Sequence, residues 1–389
     1  MSLKTRLSVL LISTPVLAFV LVGGLLGNSS AAGSEETFQH LRVFDDVVRL
    51  VMDHYVTEVK PDRAMEGAIR GLAEGLDPDS SYLSPAMVRA VESAEPPTAG
   101  DVGIELTRNY YLRVIAARDG SPAAKAGLQT GDFVRAIDGK STRDLSVFEG
   151  ARLLRGKPGT KVGITVIRGN AAEPHEIELV REKIGAARVA SRTLENGIGY
   201  LRIVTFRDGV VEEVRNHVAD LSSKGAGTLL IDVRGTAEGT YENGLDAARL
   251  FVKSGTLAVK AGRENGPRTS IEAKRGDGAI DLPVTLLTTT GTSGAAELFV
   301  SALDGNNRAG IVGERTLGRA GVQKLVKLPE GRGLWLTYAR YLGPNGEQIH
   351  GRGIEPDVEV NQPSLEFGVS APEKDAILDA AIERAKQRG

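Results

Sequence analysis

Thr228-Leu229-Leu230-Ile231-Asp232-Val233 is an apolar run closed by Arg234 and Gly235. A run so short, with Leu229, Leu230 and Ile231 in succession, reads as a strand buried on both faces, as in the middle of a parallel sheet. Working outward, residues 199–204 have the same character, 210–224 carry a helical period, and 243–252 repeat it. A further strand over 283–289 and a helix over 295–303 continue the alternation, which predicts an α/β core with largely parallel strands. Strands at 322–328 and 334–338 and a terminal helix over 371–386 complete this core, assigned to residues 184–389.

Residues 98–183 change character. Short strands at 103–106, 112–115, 133–137 and 162–167 alternate with glycine turns, so this is a small β-rich domain. Its one helix, 146–155, puts Val147, Ala151 and Leu154 on one face and stops at Gly156-Lys157-Pro158-Gly159. Residues 34–97 read as packing helices, with Leu41, Phe44, Val47, Val48, Val51 and Tyr55 at spacings of three and four. Leu76-Asp77-Pro78-Asp79-Ser80-Ser81-Tyr82-Leu83 reads as a corner in which Pro78 ends a helix and Asp and Ser bond local backbone. Segment 1–33 carries Lys4 and Arg6 ahead of an uncharged apolar run over 7–27, which predicts an export signal peptide or an uncleaved membrane anchor. The chain is therefore expected outside the cytoplasm, periplasmic or otherwise extracytoplasmic, with tethering to the inner membrane left open.

The 389 residues allow two or three domains. Lys+Arg 48 against Asp+Glu 50 gives no reason to expect a nucleic-acid partner, and the absence of cysteine removes thiolate chemistry. The five histidines have no metal-ligand spacing, so no metal and no cofactor are expected.

Residues 121–132, Ser-Pro-Ala-Ala-Lys-Ala-Gly-Leu-Gln-Thr-Gly-Asp, followed by Ile137-Asp138-Gly139, resemble the PDZ domain of processing proteases. Such a module binds an extended peptide as an added strand. The candidate edge is Val102, Gly103, Ile104, Glu105 and Leu106, with Val147, Ala151 and Leu154 read either as groove or as ordinary core. Loop 100–103 could hold a terminal carboxylate on its N–H groups.

Five stretches of the core, 198–203, 230–234, 316–323, 336–341 and 351–358, resemble the carboxyl-terminal processing, or tail-specific, serine peptidases. That resemblance implies a serine nucleophile and a neutral lysine base. The family pattern Gly-Ser-Ala-Ser-Ala-Ser-Glu meets Gly291-Thr292-Ser293-Gly294-Ala295-Ala296-Glu297, which puts Gly294 at the nucleophile position. The pattern Thr-Phe-Gly-Lys-Gly-x-Val-Gln meets residues 316–323, putting Arg319 at the base position and retaining Gln323. Glycine has nothing to attack with, and a guanidinium stays protonated. The turn implied to help form the oxyanion hole reads Gly235-Thr236-Ala237-Glu238-Gly239, and an inward Glu238 would oppose the developing negative charge.

The leading expectation is a catalytically degenerate member, a pseudoprotease that binds extended or C-terminal peptides of envelope proteins as adaptor, regulator or scaffold. Its further partners would be an active paralogue or another protease. The alternative is an active serine endopeptidase with a shifted nucleophile, Ser293, and Lys324 as base, although one step along a strand turns Lys324 to the other face. A purely structural envelope protein is the third reading.

Overall fold

The protein is described here by a computed structural model that covers residues 39–388, apart from 94–99, 170–172, 184, 186–187, 265, 364, 368 and 370–373. Segment 1–33, expected to carry an export signal or anchor, lies outside the described residues, among which no helix is long and apolar enough to cross a membrane. The chain divides into two units, residues 1–71 and 72–389.

In the first unit residues 39–54 form one helix, and Pro61, suited to a first helical turn, opens another. Leu41, Phe44, Val47, Val51 and Tyr55, expected to pack, are exposed. A helical period identifies an apolar face but not what covers it.

Among the described residues the second unit holds three sheets. In the mostly parallel one the order is Val358–Glu359, Ala309–Gly313, Val284–Thr288, Thr228–Asp232, Ile198–Ile203 and Val189–Leu194. Every neighbouring pair is parallel except the last. Thr228–Asp232 is central and buried throughout. Leu229 and Ile231 pack with the helices Val210–Ser223, Tyr241–Ala248 and Ala295–Gly305 on one face. Leu230 packs with Ile377 and Ala381 of the terminal helix, Ala376–Arg388, on the other. The unbroken apolar run is thus a strand with two dry faces.

Two corrections concern the remaining core strands. Gly321–Lys327 and Gly333–Leu342, expected within the α/β core, pair with each other in a separate antiparallel sheet that also holds Thr256–Ala261 and Arg268–Glu272. Ser81–Leu83, read as part of a corner, is a strand of the same sheet, paired to Gly333–Leu342. A three-residue strand leaves no period to detect.

The β-rich domain orders its strands Ile104–Asn109, Tyr111–Ala117, Phe133–Ile137, Lys161–Ile167 and His175–Val180. Ile104–Asn109 is at the end of this order, beside the helix Val147–Leu154. That helix starts with a capping box. Ser146 Oγ accepts from Glu149 N at 3.2 Å, and Glu149 Oε2 accepts from Ser146 N at 2.9 Å. The domain is fastened to the segment before the terminal helix: Arg168 donates to the Leu365 carbonyl at 2.9 Å and lies 3.7 Å from the Phe367 ring centroid. Asp119 binds it to the core through Arg202 at 2.9 Å.

Candidate functional site

Val284–Thr288 leaves the sheet through a short loop into the helix Ala295–Gly305, and Gly294 is the residue at the bend, with φ 65° and ψ −120°. Residues with side chains rarely adopt this conformation. A Cβ added there would nevertheless meet only the Ala237 carbonyl oxygen, at 3.7 Å, so the space for a side chain exists. Gly294 N donates to Glu297 Oε2 at 3.0 Å. Glu297 is fully buried and also accepts from Gly318 N at 2.6 Å, from Arg319 N at 2.7 Å and from the Thr316 hydroxyl. Burial pushes its carboxyl above the ordinary range, while Thr316 and the three N–H groups pull the other way. One carboxylate therefore fixes the bend at Gly294 and the loop bearing Arg319 to each other. Its position at the third residue of the helix is that of a capping box, the one sequence signal that could have marked it.

Arg319 Nε lies 3.0 Å from Asp79 Oδ1, and the Asp79 side chain is only 7% exposed. Burial works against the guanidinium charge, but Asp79, Glu105 and Tyr241 together hold Arg319 above its ordinary pKa. Asp77, two residues earlier, accepts from Asp79 N at 2.9 Å, Ser80 N at 2.7 Å and Ser80 Oγ at 2.9 Å. It also accepts from Thr337 Oγ1 at 3.2 Å, and Thr337 in turn accepts from Gln323 Nε2 at 3.2 Å. The corner 76–83 therefore touches Arg319 through Asp79 and is linked to Gln323 through Thr337. The sequence reading missed this. Two carboxylates and two serines in five residues are more than a turn needs, but nothing local says what they reach.

Ser293 and Lys324, the substitute pair, do not meet. Ser293 is fully buried with an Oγ that has no hydrogen-bond partner, whereas Lys324 is exposed, its Nζ 4.9 Å from the Tyr338 ring centroid. Glu238 is also corrected. Its carboxylate reaches Arg118 at 3.2 Å and pairs with Arg207, so two guanidinium groups face its charge. Gly239 has φ 137°, and a Cβ there would strike Phe206 at 2.5 Å, which makes it a packing glycine. Ala237 is the turn residue nearest Gly294.

In the β-rich domain Val102, Ile104, Leu106 and Leu154 belong to the domain's own core, with Val147 partly buried against them and Ala151 half-buried. Loop 100–103 has no free donors: Gly100 N bonds Gly156 O at 3.0 Å and Asp101 N bonds Glu182 O at 2.9 Å. Val102 N and Gly103 N bond Asp101 Oδ1 at 2.6 and 3.0 Å. Asp101, Gly103, Glu105 and Arg118 share with Ala237 and Glu238 a crevice of about 20 Å³, room for roughly one water. Burial raises the Glu105 carboxyl to about 7, with Arg319 opposing and Glu238 adding to the rise. Among the described residues no group of three or more His, Cys, Asp or Glu is placed to hold a metal ion.

Comparison with known proteins gives this arrangement a family. The sequence model of peptidase family S41 matches residues 197–360, and that of a PDZ domain matches 113–168. The carboxy-terminal-processing protease of Bartonella bacilliformis is 31% identical, over 91% of this chain and 81% of its own. That of a Synechocystis species is 31% identical over 90% and 82%. Among solved structures, the photosystem II D1 C-terminal processing protease superimposes with a TM-score of 0.68 at 26% identity, covering 82% of this chain and 92% of its own. With the α/β core, the elbow at Gly294 and the β-rich domain in place, the chain belongs to the S41 family of carboxyl-terminal processing proteases and carries that family's PDZ domain.

Proposed function

We propose that this chain is a peptide-binding member of its family that does not cleave. It holds extended segments of other exported proteins through the PDZ edge and the core cleft, as an adaptor, regulator or scaffold. The observation that carries this reading is the pair of residues held by Glu297. It accepts from the backbone N–H of a glycine, Gly294, and from that of an arginine, Arg319, whose guanidinium faces a buried partner, Asp79, that favours the charged form. Acyl transfer needs a nucleophile and a base that can take its proton. Gly294 offers no atom for the first, and Arg319 is held away from the second. Ser293 supports no rescue, since a buried hydroxyl without a base in contact meets neither the access nor the geometry that attack requires. The reading includes export and tethering through the apolar run 7–27, supported by its basic flank.

The test is to incubate the full chain in detergent with a fluorescent, unstructured protein ending in an apolar tail, and to follow binding by anisotropy and integrity by mass spectrometry. The expected result is saturable binding with the tail recovered intact. Steady release of fragments that disappears in Ser293→Ala would establish the enzyme instead.

A further inference from the structure

In this fold, loop 100–103 turns into the strand Ile104–Asn109, where an added peptide strand would begin. A terminal carboxylate arriving there would look for backbone N–H groups and a cation. Both are present, and both are engaged. The two inner N–H groups, of Val102 and Gly103, point at Asp101 Oδ1 at 2.6 and 3.0 Å. Asp101 Oδ2 receives Arg155 Nε at 3.0 Å. Arg155 comes from a separate element, the residue that ends the helix Val147–Leu154, and lies 54 positions along the chain from its partner. The two outer N–H groups of the loop are held by the carbonyls of Gly156 and Glu182.

We propose that Asp101 is a built-in occupant of the PDZ carboxylate position, so that this module selects internal extended segments and discriminates against free C-termini. The proposal rests on the peptide-binding reading above and specifies its ligand. An incoming carboxylate would have to displace Asp101 or stand beside it, like charge against like, with no unclaimed donor in loop 100–103. An internal segment brings no second anion and needs only the strand edge. Asp101 is the residue that sets this choice. It remains partly accessible, with 27% of its side chain exposed, and Arg155 retains 36%. Once Asp101 is neutralised, Arg155 is left without its anion and an incoming terminal carboxylate no longer meets a like charge.

The test uses one fluorescein-labelled apolar decapeptide in two forms, with a free carboxylate and with a C-terminal amide, titrated into the full chain and its variants. The wild type should bind the amide at least as tightly as the acid. Asp101→Asn should shift the ratio towards the acid by about tenfold or more, the size of a regained charge-assisted contact. Asp101→Asn combined with Arg155→Gln should lose that gain. The amide form serves as the control for an intact groove in each variant. A wild type that prefers the acid tenfold, or an acid-to-amide ratio unmoved by Asp101→Asn while both peptides bind, overturns the proposal alone. If neither peptide binds any variant, the peptide-binding reading fails and takes the proposal with it.

Discussion

Asp101 and Glu297 do the same local thing, each folding a carboxylate onto backbone N–H groups of its own neighbourhood, but with opposite consequences. Glu297 has no exposure and draws in donors from both sides of the core cleft. Asp101 is more than a quarter exposed and holds two adjacent N–H groups and one arginine. Burial separates them. A carboxylate that water cannot reach is a fixed part of the frame, while one at the surface can be exchanged for another anion. The core thus keeps the scaffold of a peptidase site with different side chains mounted on it, while the PDZ loop keeps its site and fills it.

The largest effect expected from this contrast is on stability. Glu297→Ala would leave three buried N–H groups without an acceptor and should lower the unfolding free energy by roughly 3 kcal/mol or more, measured by urea denaturation. Asp101→Asn should cost under about 1 kcal/mol in the same experiment. Equal costs would erase the distinction between frame and plug.

Next comes the ion pair beneath the cleft. Arg319→Ala leaves Asp79 buried and unpaired, and should cost about 2 kcal/mol, discounted because a quarter of the arginine side chain is exposed. Asp79→Asn added to that variant should recover most of the loss. Without recovery, Arg319 would be acting through packing and not through its charge.

Much of this molecule could be read from its residues, and what escaped has a common physical cause. The run 228–233 announces a doubly buried strand because its apolar character does not alternate. The PDZ helix announces itself through Ser146 and Glu149. Even the glycine and the arginine at the dyad positions stand in the open once the register is set. Asp79 does not, because its meaning lies in a contact with Arg319, and Asp77 depends in the same way on Thr337, 260 positions away. The role of Asp101 is not legible from loop 100–103, since sequence gives the donors but not the direction in which a carboxylate beside them turns. The partners of Glu238 were hidden for the same reason, its charge being drawn to Arg118 and Arg207.

A pH-dependent effect concerns Glu105, which shares its crevice with Ala237 and Glu238. Its carboxyl is raised from 4.5 in the unfolded chain to about 7, so between those pH values the folded state retains a proton that the unfolded state has lost. Its contribution to stability is therefore most favourable below pH 4.5, falls as pH rises to about 7, and is level above. Relative to the wild type, Glu105→Gln should melt progressively higher across that window, by differential scanning calorimetry. A constant difference from pH 4 to 8 would place Glu105 outside the crevice.

The smallest effect belongs to Ser293→Ala, which should stay within about 0.5 kcal/mol of the wild type or slightly above it, because the hydroxyl removed has no partner to lose. A loss of 2 kcal/mol would show that the hydroxyl is held after all.

The central claim is tested most directly by rebuilding the chemistry. Initial rates of cleavage of an apolar-tailed, unstructured protein would be compared for the wild type, for Gly294→Ser with Arg319→Lys, and for those two with Asp79→Asn. The wild type should give no rate above background. The double variant should remain near it, because Asp79 would keep a lysine at position 319 protonated. The triple variant should release fragments measurably. Turnover by the wild type at an ordinary enzymatic rate would contradict the account at its root.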